Sequence, residues 1–346
     1  MARILYGISP IGLGHVTRSL EIVDKLKERG MDVSLVSGGK AAEFIRAGGL
    51  TVHDLVSDPV PRVVKGEMKD TSAWYIRSWL AFRNSRSRME GLYRQFGPDL
   101  VVGDEEFTGI SIALREGVPA VFVSDELELG FARGLLAGFL ERRVLRWYKA
   151  LQARVSMLIV PEAGVDEDNV RHVGTIVRRT TRSKQEVQRQ YGLPSEGKMV
   201  LLSMSGSGIG EHLLDGTVSA LRSLPDNEGF LVITGNRGPK VRIDRVYDLG
   251  VVPENQNLVA AADLVVSTAG KSTMDEAACY GTPIIVIPIR HHAEQERNAA
   301  AIGFTADDAS RLPSLVADRI GKRTPVQDCD GAARAADLIL TMLPNR

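Results

Sequence analysis

The chain has 346 residues, room for two domains at roughly 100–200 residues each. Its composition, 44% hydrophobic and 25% charged with 34 glycines and 15 prolines, excludes a disordered, collagen-like or coiled-coil chain. The 43 basic and 43 acidic residues cancel, so no overall field draws in nucleic acid, and no nucleic-acid partner is expected. Two cysteines, Cys279 and Cys329, without a C-x-x-C spacing, argue against a disulfide framework or a cysteine zinc site and for a reducing cytoplasm. The opening Met1-Ala2-Arg3-Ile4 runs into a predicted strand without a leader pattern. Apolar runs such as Pro283–Ile289 fall far short of the ~20 residues that a spanning helix needs.

Short β-branched runs alternate with helical periodicity, the pattern of parallel α/β sheets. Arg3–Ile8 is a predicted strand and Pro10–His15 a glycine loop; Val16, Leu20, Val23 and Leu26 then mark one face of a helix that Gly30 stops. Val33–Val36, Leu100–Val102, Ala120–Val123 and Met157–Val160 follow as strands. The second half repeats the plan, with strand Met199–Ser203, glycine loop Ser205–Gly210, helix Glu211–Leu224, and strands Phe230–Ile233, Leu264–Ser267 and Ile284–Ile287. An alanine-rich helix over Gly331–Leu343 comes last. Two glycine loops, each between strand and helix, predict two doubly wound Rossmann-like domains facing across a cleft, with ligands at the carboxyl ends of the strands. The expected divisions are 1–174, 175–330, and a helix in 331–346 that packs back on the N-terminal domain.

The first loop, Gly12-Leu13-Gly14-His15, can bring backbone N–H groups and a helix N-terminus to a phosphate, although a tight turn explains it as well. Its spacing is not G-x-G-x-x-G, and the next strand leads into Ser37-Gly38-Gly39 rather than an acid for a ribose, which disfavours a nicotinamide enzyme. Gly270-Lys271-Ser272-Thr273 looks like the end of a P-loop, but Val265 stands where that motif needs its first glycine. The NTPase reading falls, while the cluster can still hold a diphosphate. Glu276, nearly two turns into the following helix, can face a ribose or simply be a solvated carboxylate. Glu294-Gln295, past Pro288, pairs an acceptor with a donor as vicinal sugar hydroxyls require. His291 and His292 are adjacent, share no helix face and have no evident third ligand, so no metal is expected.

Together these positions resemble the GT-B glycosyltransferases, most closely the family 28 type of MurG and similar archaeal proteins. Ser267–Ala299 carries the donor pattern: Thr268-Ala269-Gly270, Ser272-Thr273, Glu276, Gly281-x-Pro283, Pro288, Glu294-Gln295 and Asn298-Ala299. Its six-residue gap from Gly270 to Glu276 also resembles plant UDP-glycosyltransferases. Gly12-x-Gly14-His15 and the run Val173–Arg178 match in kind, so the likeness spans nearly the whole chain. The resemblance implies an inverting transfer of a hexose or N-acetylhexosamine from a nucleotide sugar, UDP-linked, to an acceptor hydroxyl, without an obligatory protein-bound metal or other cofactor. It implies that Glu276 binds the ribose, and that Gly14, Ser205, Gly206, Ser207, Gly208, Gly270, Ser272 and Thr273 line the nucleotide diphosphate. Glu294 and Gln295 would hold the donor sugar. His15 would be the base, oriented by Asp104, and one of the carboxylates Asp104, Glu105 and Glu106 is the alternative base. Three departures stand out: Thr268 replaces a plant-type histidine, the Ser272-Thr273 pair is shifted by one residue, and the linker Ile289–Ala293 differs in length.

Two stretches are locally basic: Thr71–Phe96 has five arginines against one glutamate, and Phe131–Arg154 has six Lys and Arg against one glutamate. Both interleave Trp, Tyr, Phe and Leu, a pattern that ordinary helices with one face in a core explain best and that helices lying on an anionic membrane also show. With the MurG resemblance, this extends the expectation to a lipid-linked acceptor and to peripheral association with the inner face of the cell membrane. A UDP-sugar 2-epimerase of the same fold and a non-catalytic nucleotide-sugar-binding protein are the competing readings.

Overall fold

The computed structural model describes residues 1–344 except 12, 58, 60–61, 65–66, 125–133, 205–212, 225–228 and 236–242. The first half runs β1 (Arg3–Ile8), α1 (Leu13–Glu28), β2 (Asp32–Ser37), α2 (Gly39–Ala47), β3 (His53–Asp54), β4 (Arg62–Val64), β5 (Glu67–Lys69) and α3 (Thr71–Phe96). It continues with β6 (Leu100–Asp104), α4 (Phe107–Glu116), β7 (Ala120–Val123), α5 (Gly134–Gln152), β8 (Met157–Val160) and β9 (Val170–His172). The second half holds α6 (Lys184–Tyr191), β10 (Lys198–Ser203), α7 (Leu214–Arg222), β11 (Gly229–Thr234), β12 (Val246–Gly250) and α8 (Asn255–Ala261). After these come β13 (Leu264–Ser267), α9 (Lys271–Tyr280), β14 (Ile284–Val286), α10 (Ala293–Ala301), α11 (Leu312–Arg319) and α12 (Gly331–Thr341). The chain divides into two units: residues 1–62, 70–177 and 329–346, and residues 63–69 with 178–328.

In the first unit the strand order is β3-β2-β1-β6-β7-β8-β9, with parallel pairing throughout. Both faces of such a sheet are covered, so its strands read as continuous apolar runs whose alternate residues serve different layers. Ile4, Tyr6 and Ile8 of β1 pack with Val16, Ile22 and Val23 of α1 and with Ala335, Ala336 and Ile339 of α12. Leu5, between them, joins Val101, Phe122, Ile110 and Tyr148 on the other side. The small side chains of α12 let it lie close to α1, and Gly331 seats its start: a Cβ there would come within 2.5 Å of the Gly174 carbonyl oxygen and 2.6 Å of that of Thr175.

The second unit has strand order β12-β11-β10-β13-β14, again parallel. Val200 and Leu202 of β10 pack with α7 and α11, whereas Met199 and Leu201 pack with α6, α8 and α9. In each sheet the order reverses between two neighbours, β1 and β6 in the first, β10 and β13 in the second. Doubly wound sheets bind ligands at these reversal points, beyond the carboxyl ends of the strands.

One expectation is corrected. Both cysteines are disulfide-bonded. Local spacing could not reveal this, because the segment before Cys329 returns alongside the end of α9: the Thr324 and Gln327 amides donate to the Gly281 and Ala278 carbonyls at 3.0 and 3.3 Å. The cysteine count therefore no longer supports a reducing compartment. Among the described residues no helix is long and apolar enough to cross a membrane.

Candidate active site

β1 and β6 lie side by side with Ile8 opposite Asp104, and the Ser9 amide donates to the Asp104 carbonyl at 2.8 Å. This register puts the end of β6 beside the start of α1. On α1, His15, Arg18 and Ser19 are three and four residues apart, so they share one face. All three converge on Asp104, which is fully buried. His15 Nδ1 lies 2.9 Å from Oδ1. Arg18 grips both oxygens, Nε donating to Oδ2 at 2.8 Å and a terminal nitrogen to Oδ1 at 2.6 Å. The Ser19 hydroxyl donates to Oδ2 at 2.7 Å. His15 is the partly exposed member of the group, its side chain 25% accessible.

The electrostatics follow from these contacts. Burial alone would push the Asp104 carboxyl up, but the Arg18 charge, together with the hydrogen bonds from Arg18 and His15, holds it well below the usual carboxylate range. For His15, burial and the Arg18 charge pull the imidazole down. The hydrogen bond and charge of Asp104, with Glu105 beyond, outweigh both and leave it above its ordinary value. Arg18 is a functional-looking residue that the sequence reading missed. Its signal was there, one turn after His15 on the same face, but an arginine in an amphipathic helix reads as solvated surface.

The neighbouring carboxylates have other occupations. Glu106 is buried and caps α4, accepting from the Thr108 and Gly109 amides at 2.7 and 2.8 Å. Both its oxygens serve the helix, and a Cβ at Gly7 would lie 2.6 Å from one of them, so β1 needs glycine there. Glu105 turns the chain with φ 48°, in the left-handed region, and accepts from the hydroxyls of Ser124 and Tyr148. Gly14 sits in the first turn of α1, its carbonyl accepting from the Thr17 hydroxyl at 3.0 Å.

In the second unit, Gly270 caps α9 with extended backbone and no side chain bonds to the helix start. The first-turn amides and the helix dipole are thus presented without a side-chain cap. Ser272 and Thr273 lie in that turn, and among the described residues their hydroxyls take no hydrogen bond. Lys271 reaches back to Asp275 at 3.0 Å. Glu276 is buried rather than solvated, and Arg178 contacts its Oε1 at 3.1 and 3.3 Å. Burial raises this carboxyl above its ordinary value, with Arg178 opposing. Oε2 has no partner among the described residues. Arg178 also donates to the Pro253 carbonyl.

Gln295 is nine-tenths buried, and its side-chain oxygen accepts from the Ile289 amide at 3.0 Å, while its NH2 takes no hydrogen bond among the described residues. Glu294, its neighbour in the first turn of α10, makes no hydrogen bond or ion pair among the described residues, although its charge acts on the His292 imidazole. Asn298 ties α10 to the loop before α9 through the Ala269 carbonyl at 3.2 Å. His292 caps α10, accepting from the Gln295 amide, and burial pulls its imidazole below the ordinary value. His291 adopts φ 69°, its amide donating to Glu296 at 2.9 Å. Ser205, Gly206, Ser207 and Gly208 lie outside the described residues, as does Gly12.

Residues 221–306 match the glycosyltransferase family 28 C-terminal domain, and residues 2–130 match glycosyl transferase family 1. The chain is 25% identical over 269 residues to an uncharacterized glycosyltransferase of Methanopyrus kandleri, covering 71% of this chain and 76% of that protein. It is also 25% identical over 313 residues to the UDP-N-acetylglucosamine–N-acetylmuramyl-(pentapeptide) pyrophosphoryl-undecaprenol N-acetylglucosamine transferase of an Exiguobacterium species, covering 84% and 81%. Among solved structures it is similar to the glycosyltransferase of kitacinnamycin, with a TM-score of 0.69, 17% identity and 99% of each chain covered. Spinosyn rhamnosyltransferase complexed with thymidine diphosphate gives 0.63, 15% identity, and coverage of 99% and 96%.

Proposed function

We propose that this chain, a MurG-like glycosyltransferase of GT-B fold, moves a hexose or N-acetylhexosamine from a UDP-linked donor to an acceptor hydroxyl with inversion at the anomeric carbon. The observation that carries the reading is the contact of a partly exposed His15 with a fully buried, ionised Asp104 at the reversal point of the first sheet. Asp104 accepts a hydrogen bond from Nδ1–H, which leaves the Nε2 lone pair to take a proton from the attacking hydroxyl. Attack from the face opposite the leaving diphosphate inverts the centre. Diphosphate charge falls to the N-terminus of α9, the Ser272 and Thr273 hydroxyls and the backbone of the 205–208 segment rather than to a resident metal. Glu276 Oε2 accepts from the ribose hydroxyls, and Glu294 with the Gln295 amide holds the sugar.

The acceptor is lipid-linked in this reading. α3 exposes Ile76, Trp79 and Leu80, and α5 exposes Leu135, Leu136, Phe139 and Trp147, with Leu135 95% accessible. Arg83 stacks on Trp79 and Arg143 on Phe139, so cations and apolar rings share one surface. Phe82 and Trp147 meet edge to face at 5.6 Å and join the two helices. Such a surface suits anionic headgroups over acyl chains and supports peripheral association with the inner face of the cell membrane. Co-sedimentation with anionic vesicles at low salt, lost in Trp79→Glu, is expected; no sedimentation contradicts this part.

The transfer itself is tested by NMR product analysis with UDP-, dTDP-, GDP- and ADP-linked sugars and polyprenyl-linked acceptors. The expected product has the anomeric configuration opposite to the donor's, and His15→Gln lowers the rate about 10²-fold or more. An isomerised nucleotide sugar without transfer would instead favour the epimerase.

A further inference from the structure

Asp104 takes more donors than a histidine-orienting carboxylate needs. His15 Nδ1 and a terminal nitrogen of Arg18 both point at Oδ1, at 2.9 and 2.6 Å, and the two nitrogens are 3.0 Å apart as a consequence. A guanidinium carries donors only. A carboxylate oxygen 2.9 Å from an unprotonated Nδ1 would set lone pair against lone pair, so Nδ1 carries the proton and Nε2 is bare. Arg18 is itself buried, its side chain 9% accessible. Its charge therefore acts on the imidazole with little screening by water.

We propose that Arg18 is a positioning residue that keeps His15 a neutral base: it neutralises Asp104 and opposes formation of the imidazolium, while its fork fixes the carboxylate oxygen that sets the tautomer. This rests on His15 being the base. A buried aspartate alone beside the imidazole would stabilise the imidazolium, and a resting imidazolium cannot accept a proton. With Arg18 in place the group carries no net charge while His15 is neutral and one positive charge when it is protonated. The other groups facing His15 are Glu105 and Asp104, from the turn after β6 and its end; the buried Tyr6 phenol of β1 lies in the field of Asp104. On α12, which packs on α1, Arg334 donates to the Val173 carbonyl and Asp337 pairs with Arg29 at the far end of α1.

The test needs no substrate. The chain has six histidines, and 15N-imidazole NMR against pH, assigned with His15→Gln, follows His15 directly. In Arg18→Gln the His15 midpoint should move up by about one pH unit or more, a tenfold loss of neutral imidazole at a fixed pH on its acid side. Arg18→Lys, which keeps the charge without the fork, should restore the midpoint and thereby separates charge from packing. An unmoved or lowered midpoint in folded Arg18→Gln overturns the proposal, as does an equal rise in Arg18→Lys. Where Arg18→Gln does not fold, Arg18→Lys against wild type in high salt decides: an unscreened, unmoved midpoint supports the buried charge, and a midpoint that rises with salt in both overturns it. A His15→Gln enzyme that retains full activity would instead refute the assignment of the base, leaving the titration result to stand alone.

Discussion

Replacing Asp104 by asparagine removes one charge at nearly constant volume and leaves the rest of the site in place. Arg18 then remains buried without a counter-ion, and the new amide presents a donor where Arg18, Ser19 and His15 already donate. Breaking a buried ion pair by removing one partner costs about 3–5 kcal/mol. The cost should fall on the first unit, and the chain supplies its own reporter: its three tryptophans, Trp74, Trp79 and Trp147, all lie in α3 and α5 of that unit. With a urea slope of ~2 kcal/mol per molar, a loss of ~4 kcal/mol moves the fluorescence midpoint down by about 2 M. A midpoint shifted by less than about 0.5 M would instead mean that Asp104 contributes no more than a surface carboxylate.

The same transition, followed against pH, separates two groups with opposite signs. The Asp104 carboxyl is depressed in the folded chain, so its contribution is present above the unfolded value of about 4 and is lost as pH falls through the folded one; the gap between wild type and Asp104→Asn should close in acid. The His15 imidazole is raised, so its contribution is complete below about 6.5 and is lost as pH rises through the folded value; the gap between wild type and His15→Gln should close on the alkaline side. Gln295→Glu keeps an oxygen for the Ile289 amide and removes the NH2, so urea stability should hold while KM for the donor rises about tenfold; equal loss of both would make Gln295 purely structural. Stripping divalent cations with EDTA should leave the rate of transfer unchanged, and a loss restored by Mg²⁺ would place a metal in the step.

Most of the fold was legible because parallel strands buried on both faces leave unbroken apolar runs. Arg3–Ile8, Ala120–Val123, Met157–Val160 and Leu264–Ser267 end where the sequence predicts. The short strands His53–Asp54 and Val170–His172 were not legible; they hold two and three residues at the sheet edges and carry no periodicity. At the site, the approach of His15 to Asp104 was implied by the resemblance to glycosyltransferases, and the structure brings the two together. The roles of neighbouring polar residues were not legible, because they depend on which way a side chain turns. Glu106 turns into the α4 amides, Gln295 toward Ile289, and Glu276 meets Arg178 across 98 residues of sequence. The disulfide was hidden for the same reason, since its partners are fifty positions apart and meet only through the return of the chain past α9.

Calorimetric titration of UDP into wild type and two variants asks whether the loop and helix from Gly270 to Glu276 hold a nucleotide diphosphate sugar. Wild type should bind. Glu276→Ala should bind about 10–100-fold more weakly, the equivalent of losing one or two hydrogen bonds to a charged acceptor. Glu276→Gln, which still offers an oxygen to Arg178 and the ribose, should fall between them. Equal UDP affinity in all three would contradict the assignment of this helix to the donor.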